Sequence, residues 1–324
     1  MPLAKCSSPG LKPVYEGYFA DPFVWKHENT YYAIGTGARE AAGHTVGKIF
    51  PILRSDDFEN WRLLGNALAV PTSNPGNTYW APAVASDSNN FYLYYSVGQG
   101  DKNHQLRVAV SSEPGGPYRD QGQPLMEPTH PPFCIDPHPF QDMDGRWYLF
   151  YARDFLDYSQ NTRVGTALMV RRLKNMTALE SDAHVVLRAH SDWQRFEAAR
   201  PMYGAVWDWH TLEGPCLVRH ENRYFCFYSG GRWEDESYGV DYGVAETILG
   251  PYSDSGNEAG PRVLRTRPGQ LIGPGHNSWI IGPDGAEYLA FHAWNEAMTL
   301  RQMYLARLHW TSAGPRLRLP DPKG

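Results

Sequence analysis

The chain has 324 residues, is 42% hydrophobic and carries a formal net charge of −5 with no long charge run. An acidic balance without a basic patch argues against nucleic acid as a partner, and no stretch approaches the roughly 20 apolar residues of a membrane helix. The 11 Trp, 20 Tyr, 31 Gly and 26 Pro favour an all-β chain of short strands joined by tight turns, rich in rings that can stack on sugar faces.

The opening MPLAKCSSPG has no hydrophobic signal core. The protein is therefore read as cytoplasmic, or as secreted with its signal peptide removed. Cys6, Cys134, Cys216 and Cys226 form no CxxC pair, so reduced, buried thiols are expected.

Five stretches then share one layout: a short apolar strand, a polar turn and an aromatic-rich strand. They are DPFVWKHENTYYAIGTG from Asp21, WAPAVASDSNNFYLYYSVG from Trp80, DPHPFQDMDGRWYLFYARD from Asp136, EGPCLVRHENRYFCFYSGG from Glu213 and HNSWIIGPDGAEYLAFHAW from His276. The turns HENT, SDSNN, MDGR, HENR and PDGA read as hairpins. A third strand follows, as in LRVAVSS (106–112), YGVAET (242–247) and MYLARLHW (303–310), and a shorter fourth segment such as GPYRD or GPYSD. Strands in fours, repeated five times without a long amphipathic helix, predict a five-bladed β-propeller. A β-sandwich is the competing fold, but it would not repeat in register. Residues 1–324 are taken as one domain with blades starting near 21, 80, 136, 213 and 276, and the tail GPRLRLPDPKG as the close of the last blade.

The first strand of each blade lines the central channel of a propeller. By this register Asp21, Trp80, Asp136, Glu213 and His276 should converge near the axis. Taken singly, each has a plainer reading: an Asp before Pro is a turn residue, and a lone Trp is core. Their coincidence in one register points to a site. Three crowded carboxylates cannot all ionise easily, so their pKa values separate. An acid, a base and an aromatic platform suit glycoside hydrolysis.

The contexts ADPFVW, CIDPHPF and LEGPCLV, with WAP at 80–82 and GPGHNSW at 273–279, resemble glycoside hydrolase family 43 over nearly the whole chain. That resemblance implies a five-bladed propeller that inverts configuration, acting mostly on α-L-arabinofuranosides and β-D-xylosides of plant cell walls. It implies Asp21 as general base, Glu213 as general acid and Asp136 as the residue that orients Glu213 and raises its pKa. The base and acid should lie roughly 6.5–9.5 Å apart, leaving room for water. It further implies that Trp80 packs on the terminal sugar, that Arg301 binds substrate, and that His276 helps hold a water-coordinated calcium ion. No organic cofactor is required. The retaining levansucrases and invertases have signatures similar to NDPNG, RDP and EC. Here the corresponding stretches read ADPFV, IDP and EGP.

Trp207, Trp209 and His210, just ahead of Glu213, are expected to shape the leaving-group subsite. The insertion RAHSDWQRFEAARPMYG and the stretch RDFLDYSQNTR (153–163) should form a rim over the mouth. His130, Cys134, Asp136 and His138 lie close in sequence but match no zinc spacing. The leading expectation is an inverting exo-glycosidase, most simply an α-L-arabinofuranosidase, with a carbohydrate as its partner. A β-D-xylosidase, a β-D-galactofuranosidase and an endo-arabinanase are the enzymatic alternatives. A non-catalytic glycan-binding propeller is the alternative from another class.

Overall fold

A computed structural model describes residues 11–38, 49–69 and 76–320. Cys6, the N-terminal decapeptide and the last four residues lie outside them. The first blade is β1 (Ala20–His27), β2 (Thr30–Thr36), β3 (Ile49–Ser55) and β4 (Arg62–Ala69). The second is β5 (Thr78–Ser86), β6 (Phe91–Gln99), β7 (Lys102–Ser111) and β8 (Tyr118–Pro124). The third is β9 (Cys134–Gln141), β10 (Trp147–Phe155), β11 (Gly165–Asn175) and β12 (Ala178–Leu187). A 3-10 turn at Asp192–Gln194 and strand β13 (Arg195–Met202) come next. The fourth blade is β14 (Ala205–His220), β15 (Arg223–Gly230) and β16 (Gly239–Ala245). The fifth is β17 (Ile272–Ile281), β18 (Glu287–Trp294), β19 (Arg301–Thr311) and β20 (Gly314–Arg318).

Each set is an antiparallel meander. The innermost strands close a ring: β1 packs on β5 and β17, β5 on β9, β9 on β14, and β14 on β17. This is the expected five-bladed propeller. The tail does complete the last blade, as β20 pairs with β19. The fourth blade departs from the pattern. Its GPYSD segment is held by a single bridge, Val244 to Ser253, in place of an outer strand. The segment ahead of β1 locks onto the last blade, where Val14 and Phe19 donate backbone hydrogen bonds to the carbonyls of Met303 and Arg301.

The core is divided among the blade interfaces. In β6, Leu93 and Tyr95 face the first blade while Tyr92 and Tyr94 face the third. Successive side chains on a strand point to opposite faces, and both faces of a blade are covered. FYLYYSV is therefore a continuous apolar run rather than an alternating one. Among the described residues, no helix is long and apolar enough to cross a membrane. Cys134, Cys216 and Cys226 are free and buried, as expected.

Every inner strand carries a bulge at the same level. Its left-handed residue is Asp21 (φ 50°), Ala81 (φ 47°), Asp136 (φ 56°), Gly214 (φ 57°) or His276 (φ 48°). This corrects the expected register. Asp21, Asp136 and His276 are equivalent, but Trp80 and Glu213 each sit one residue before the equivalent position. A bulge frees a backbone N–H from the ladder, and a buried donor needs a partner. Side chains of the preceding blade accept four of these donors. Asp21 N–H donates to His292 Nδ1 at 3.0 Å and Ala81 N–H to Thr36 Oγ1 at 2.9 Å. Gly214 N–H donates to Asp136 Oδ2 at 2.8 Å and His276 N–H to Ser229 Oγ at 2.7 Å.

Gly214 has a second constraint. A Cβ there would come within 3.0 Å of the His276 ring. Gly214→Ala should therefore destabilise the fold by about 1–2 kcal/mol from the left-handed backbone alone, with the crowding of His276 added. A fall in denaturation midpoint at unchanged m-value would show it.

Candidate functional site

The bulge residues of β1, β9 and β17, and the residues just ahead of the bulges in β5 and β14, turn their side chains into a pocket of about 370 Å³. Asp21, Asp136 and Glu213 all line it, on β1, β9 and β14. Trp80, His276, Arg301 and Trp209 line it too, so the expected binding residues are brought together. The expectation for the residues around Trp209 is corrected, because Trp207 and His210 do not reach the pocket. Trp207 donates its indole N–H to the Met202 carbonyl, and His210 is turned toward the Asp208 carbonyl. Alternation along β14 explains His210, which points away from the face on which Trp209 and Thr211 line the cavity, while Trp207 shares that face but is tied to β13 through Met202.

Asp21 is held ionised. Burial works to raise its pKa, but His276, Arg301 and His292 and a 2.6 Å hydrogen bond from Thr36 Oγ1 outweigh it and hold it at about 2. Burial keeps both imidazoles below their ordinary value. His292 Nδ1 also accepts the Asp21 N–H, so it carries no proton. At neutral pH the positive charge beside Asp21 is therefore Arg301, with Nη1 3.5 Å from Oδ1. Arg301 is buried, donates its Nε–H to the Tyr18 hydroxyl oxygen at 2.9 Å, and lies 4.4 Å over the Trp233 ring. A guanidinium fixed by rings on its face and oxygens at its edge is well suited to hold a carboxylate.

Glu213 is in the opposite condition. Burial pushes its carboxyl up to about 7, and the Asp21 charge adds to this. The Tyr238 hydroxyl donates to Oε1 at 2.6 Å and opposes the rise. Asp136 is also raised well above the carboxylate range, by burial and then by the Glu213 and Asp21 charges. Its Oδ2 caps the N–H of Gly214. Asp136 thus fixes the backbone beside Glu213, while Tyr238 holds the carboxyl itself.

The insertion folds as a rim. Phe196, Arg200 and Met202 of β13 line the pocket. Arg200 reaches Asp101, in the turn between β6 and β7, at 2.9 Å and lies 4.8 Å over Phe196. From the other expected rim segment Asp154 reaches the pocket. Trp233 and Trp294 stack at 6.3 Å and also line the pocket.

Trp80 stacks on His104, with ring centroids 3.9 Å apart. His138 Nε2 accepts the Leu217 N–H at 3.1 Å. Among the described residues, no group of three or more His, Cys, Asp or Glu side chains is set to hold a metal ion. His276 Nδ1 lies 3.4 Å from Asp21 Oδ1 and 4.0 Å from Asp136 Oδ2. One ring nitrogen is not the oxygen cage that calcium takes, so these residues do not fit calcium as direct ligands.

The site contains functional candidates that sequence reasoning missed: Tyr238, Thr36, Tyr18, Trp233, Trp294 and Arg200. Thr36 and Trp294 end the second strands of their blades, and Trp233 follows one. In an antiparallel hairpin, that end lies beside the start of the inner strand. Large or polar residues at second-strand ends were thus the available signal.

The family of glycosyl hydrolases numbered 43 matches the chain over residues 11–315. The beta-D-galactofuranosidase xynD of Aspergillus niger is 27% identical over 86% of this chain and 75% of its own length. The extracellular endo-alpha-(1->5)-L-arabinanase 1 of Bacillus subtilis is 26% identical over 91% of this chain and 86% of its own. The extracellular exo-alpha-(1->5)-L-arabinofuranosidase ArbA of Cellvibrio japonicus is 26% identical over 91% and 84%. The crystal structure of a thermostable family-43 glycoside hydrolase superposes with a TM-score of 0.80 at 27% identity, over 98% of both chains.

Proposed function

The chain belongs to glycosyl hydrolases family 43, and from that premise we propose that it is an inverting, exo-acting α-L-arabinofuranosidase with Asp21 as general base and Glu213 as general acid. The chain's hydrolysis of O-glycosyl bonds in a glycan follows from the family. What supports the rest is the contrast between two carboxyls that line one pocket: Asp21, beside Arg301 and Thr36, is held ionised, while burial lifts Glu213 to about 7. Water on the Asp21 side attacks the anomeric carbon as Asp21 takes its proton. The glycosidic bond breaks on the other face, and Glu213 gives its proton to the departing oxygen. Asp136 keeps the Gly214 amide, and with it Glu213, in place. An ion at His276 would be held through water, and no step depends on it. Two of the relatives are named extracellular, which supports the secreted reading.

The choice of a furanoside rests on the named relatives, which act on arabinan, arabinofuranosides or a galactofuranoside. The exo reading rests on the rim, because the Arg200–Asp101 bridge joins the insertion to the second blade across one side of the mouth. Endo-arabinanase is the second reading, favoured by the Bacillus relative. Linear arabinan separates them. Arabinose as the sole early product supports exo action, and a ladder of oligosaccharides supports endo action. Arg200→Ala should loosen that wall and raise the proportion of oligosaccharide products.

The pH dependence has a defined sign. Asp21 must be ionised and Glu213 protonated, so kcat/KM should hold between about 2 and about 7 and fall tenfold per pH unit above it. Initial rates on an arabino-oligosaccharide across pH 4–9 (about that span is needed to see the limb) check this. A rate that keeps rising past pH 8 would remove Glu213 as the acid.

A further inference from the structure

Tyr238 immediately precedes β16 and is 1% exposed. Two features fix its ring. It stacks on His292, with centroids 5.8 Å apart and planes 9° from parallel. It also passes the backbone of β17 at Gly275, where any Cβ would overlap it. The ring thus has one course, and that course ends with the hydroxyl 2.6 Å from Glu213 Oε1. Burial and the adjacent Glu213 raise the phenol well above its ordinary value, so it stays protonated and donates.

We propose that Tyr238 is a positioning residue that assigns the two oxygens of Glu213, holding Oε1 as an acceptor so that the proton delivered to the glycosidic oxygen is carried on Oε2. This rests on Glu213 being the general acid. A carboxyl oxygen that accepts a short hydrogen bond from a buried phenol is a poor place for a proton of its own. The same bond favours the ionised form of the carboxyl, so Tyr238 also limits how far the acid stays protonated as pH rises. Other groups face Glu213 from every side: Asp21 on β1, Asp136 on β9, Arg200 on β13, His276 on β17 and Arg301 on β19. The two aspartates and the arginines oppose one another, and neutral His276 adds no charge. Tyr238 is the neutral group whose hydrogen bond reaches the carboxyl.

Tyr238→Phe removes the hydroxyl and keeps the ring, its stack and its passage beside Gly275. Infrared difference spectra across pH would follow the Glu213 carboxyl band, identified by its loss in Glu213→Gln. The midpoint should rise by about one pH unit in Tyr238→Phe, the size expected for one hydrogen bond to a charged acceptor. The alkaline limb of kcat/KM should rise with it. kcat should fall on poor leaving groups, with KM little changed. 3-Fluorotyrosine at position 238 is a stronger donor and should move the midpoint down, so the idea stays testable if the phenylalanine variant does not fold. An unmoved midpoint in either folded variant overturns it. The band needs no substrate: a shifted midpoint in an enzyme inert on arabinofuranosides would overturn the substrate reading alone. An unshifted one in an active enzyme would overturn the role of Tyr238 alone.

Discussion

Glu213→Gln is expected to lower hydrolysis of a natural arabino-oligosaccharide by on the order of 10²–10⁴, the contribution of a positioned proton donor. The loss should shrink on an aryl arabinofuranoside whose leaving group departs without a proton. This dependence on leaving group separates lost acid catalysis from general damage to the pocket. Gln is close in shape to a protonated Glu and can still accept from Tyr238, so the fold should survive. The alkaline limb near pH 7 should also vanish, since the group that titrates there is gone. Equal losses on both substrates would place Glu213 outside the proton-delivery step.

Asp21→Asn should show the complementary pattern. Water must be deprotonated whatever leaves, so the loss, again on the order of 10²–10⁴, should be similar on good and poor leaving groups. The variant also leaves buried Arg301 facing a neutral amide, with Thr36 able to donate to the amide oxygen. Stability should change with a definite sign. Asp21 is depressed from 3.8 to about 2 in the fold, so its contribution is present above pH 4 (about the unfolded value) and fades as pH falls toward about 2. Wild type and Asp21→Asn should therefore converge in stability in acid and separate near neutrality. Melting curves at several pH values check this, and parallel curves would contradict the depressed pKa.

The repeat was legible because a propeller uses one solution five times. The dipeptides Asp21-Pro22, Ala81-Pro82, Asp136-Pro137 and Gly214-Pro215 mark the bulge of four inner strands. The carboxylate trio was readable from those contexts. The one-residue error at Trp80 and Glu213 came from counting across the hairpin turns, which differ in length. Val218 pairs with Phe225, seven residues on, whereas Phe140 pairs with Tyr148, eight residues on. The proline after four of the five bulges was the better ruler, because it belongs to the inner strand itself.

Tyr238 was hidden for a different reason. It stands in DESYGVDYG, a polar stretch with nothing to distinguish its tyrosine. Its importance depends on Gly275 in another blade, and sequence pattern does not report contacts between blades. Arg301 shows the intermediate case. The sequence marked it as a binding residue, while the structure adds that it is the cation beside Asp21, backed by Trp233.

The central claim is that Asp21 and Glu213 act from opposite faces of the sugar with water between base and carbon. The most direct test is the anomer released first from an α-L-arabinofuranoside, followed by proton NMR before mutarotation erases it. The account predicts β-arabinofuranose first. α-Arabinofuranose first would mean that a carboxylate attacks carbon directly, and the assignment of Asp21 as a base acting through water would be wrong.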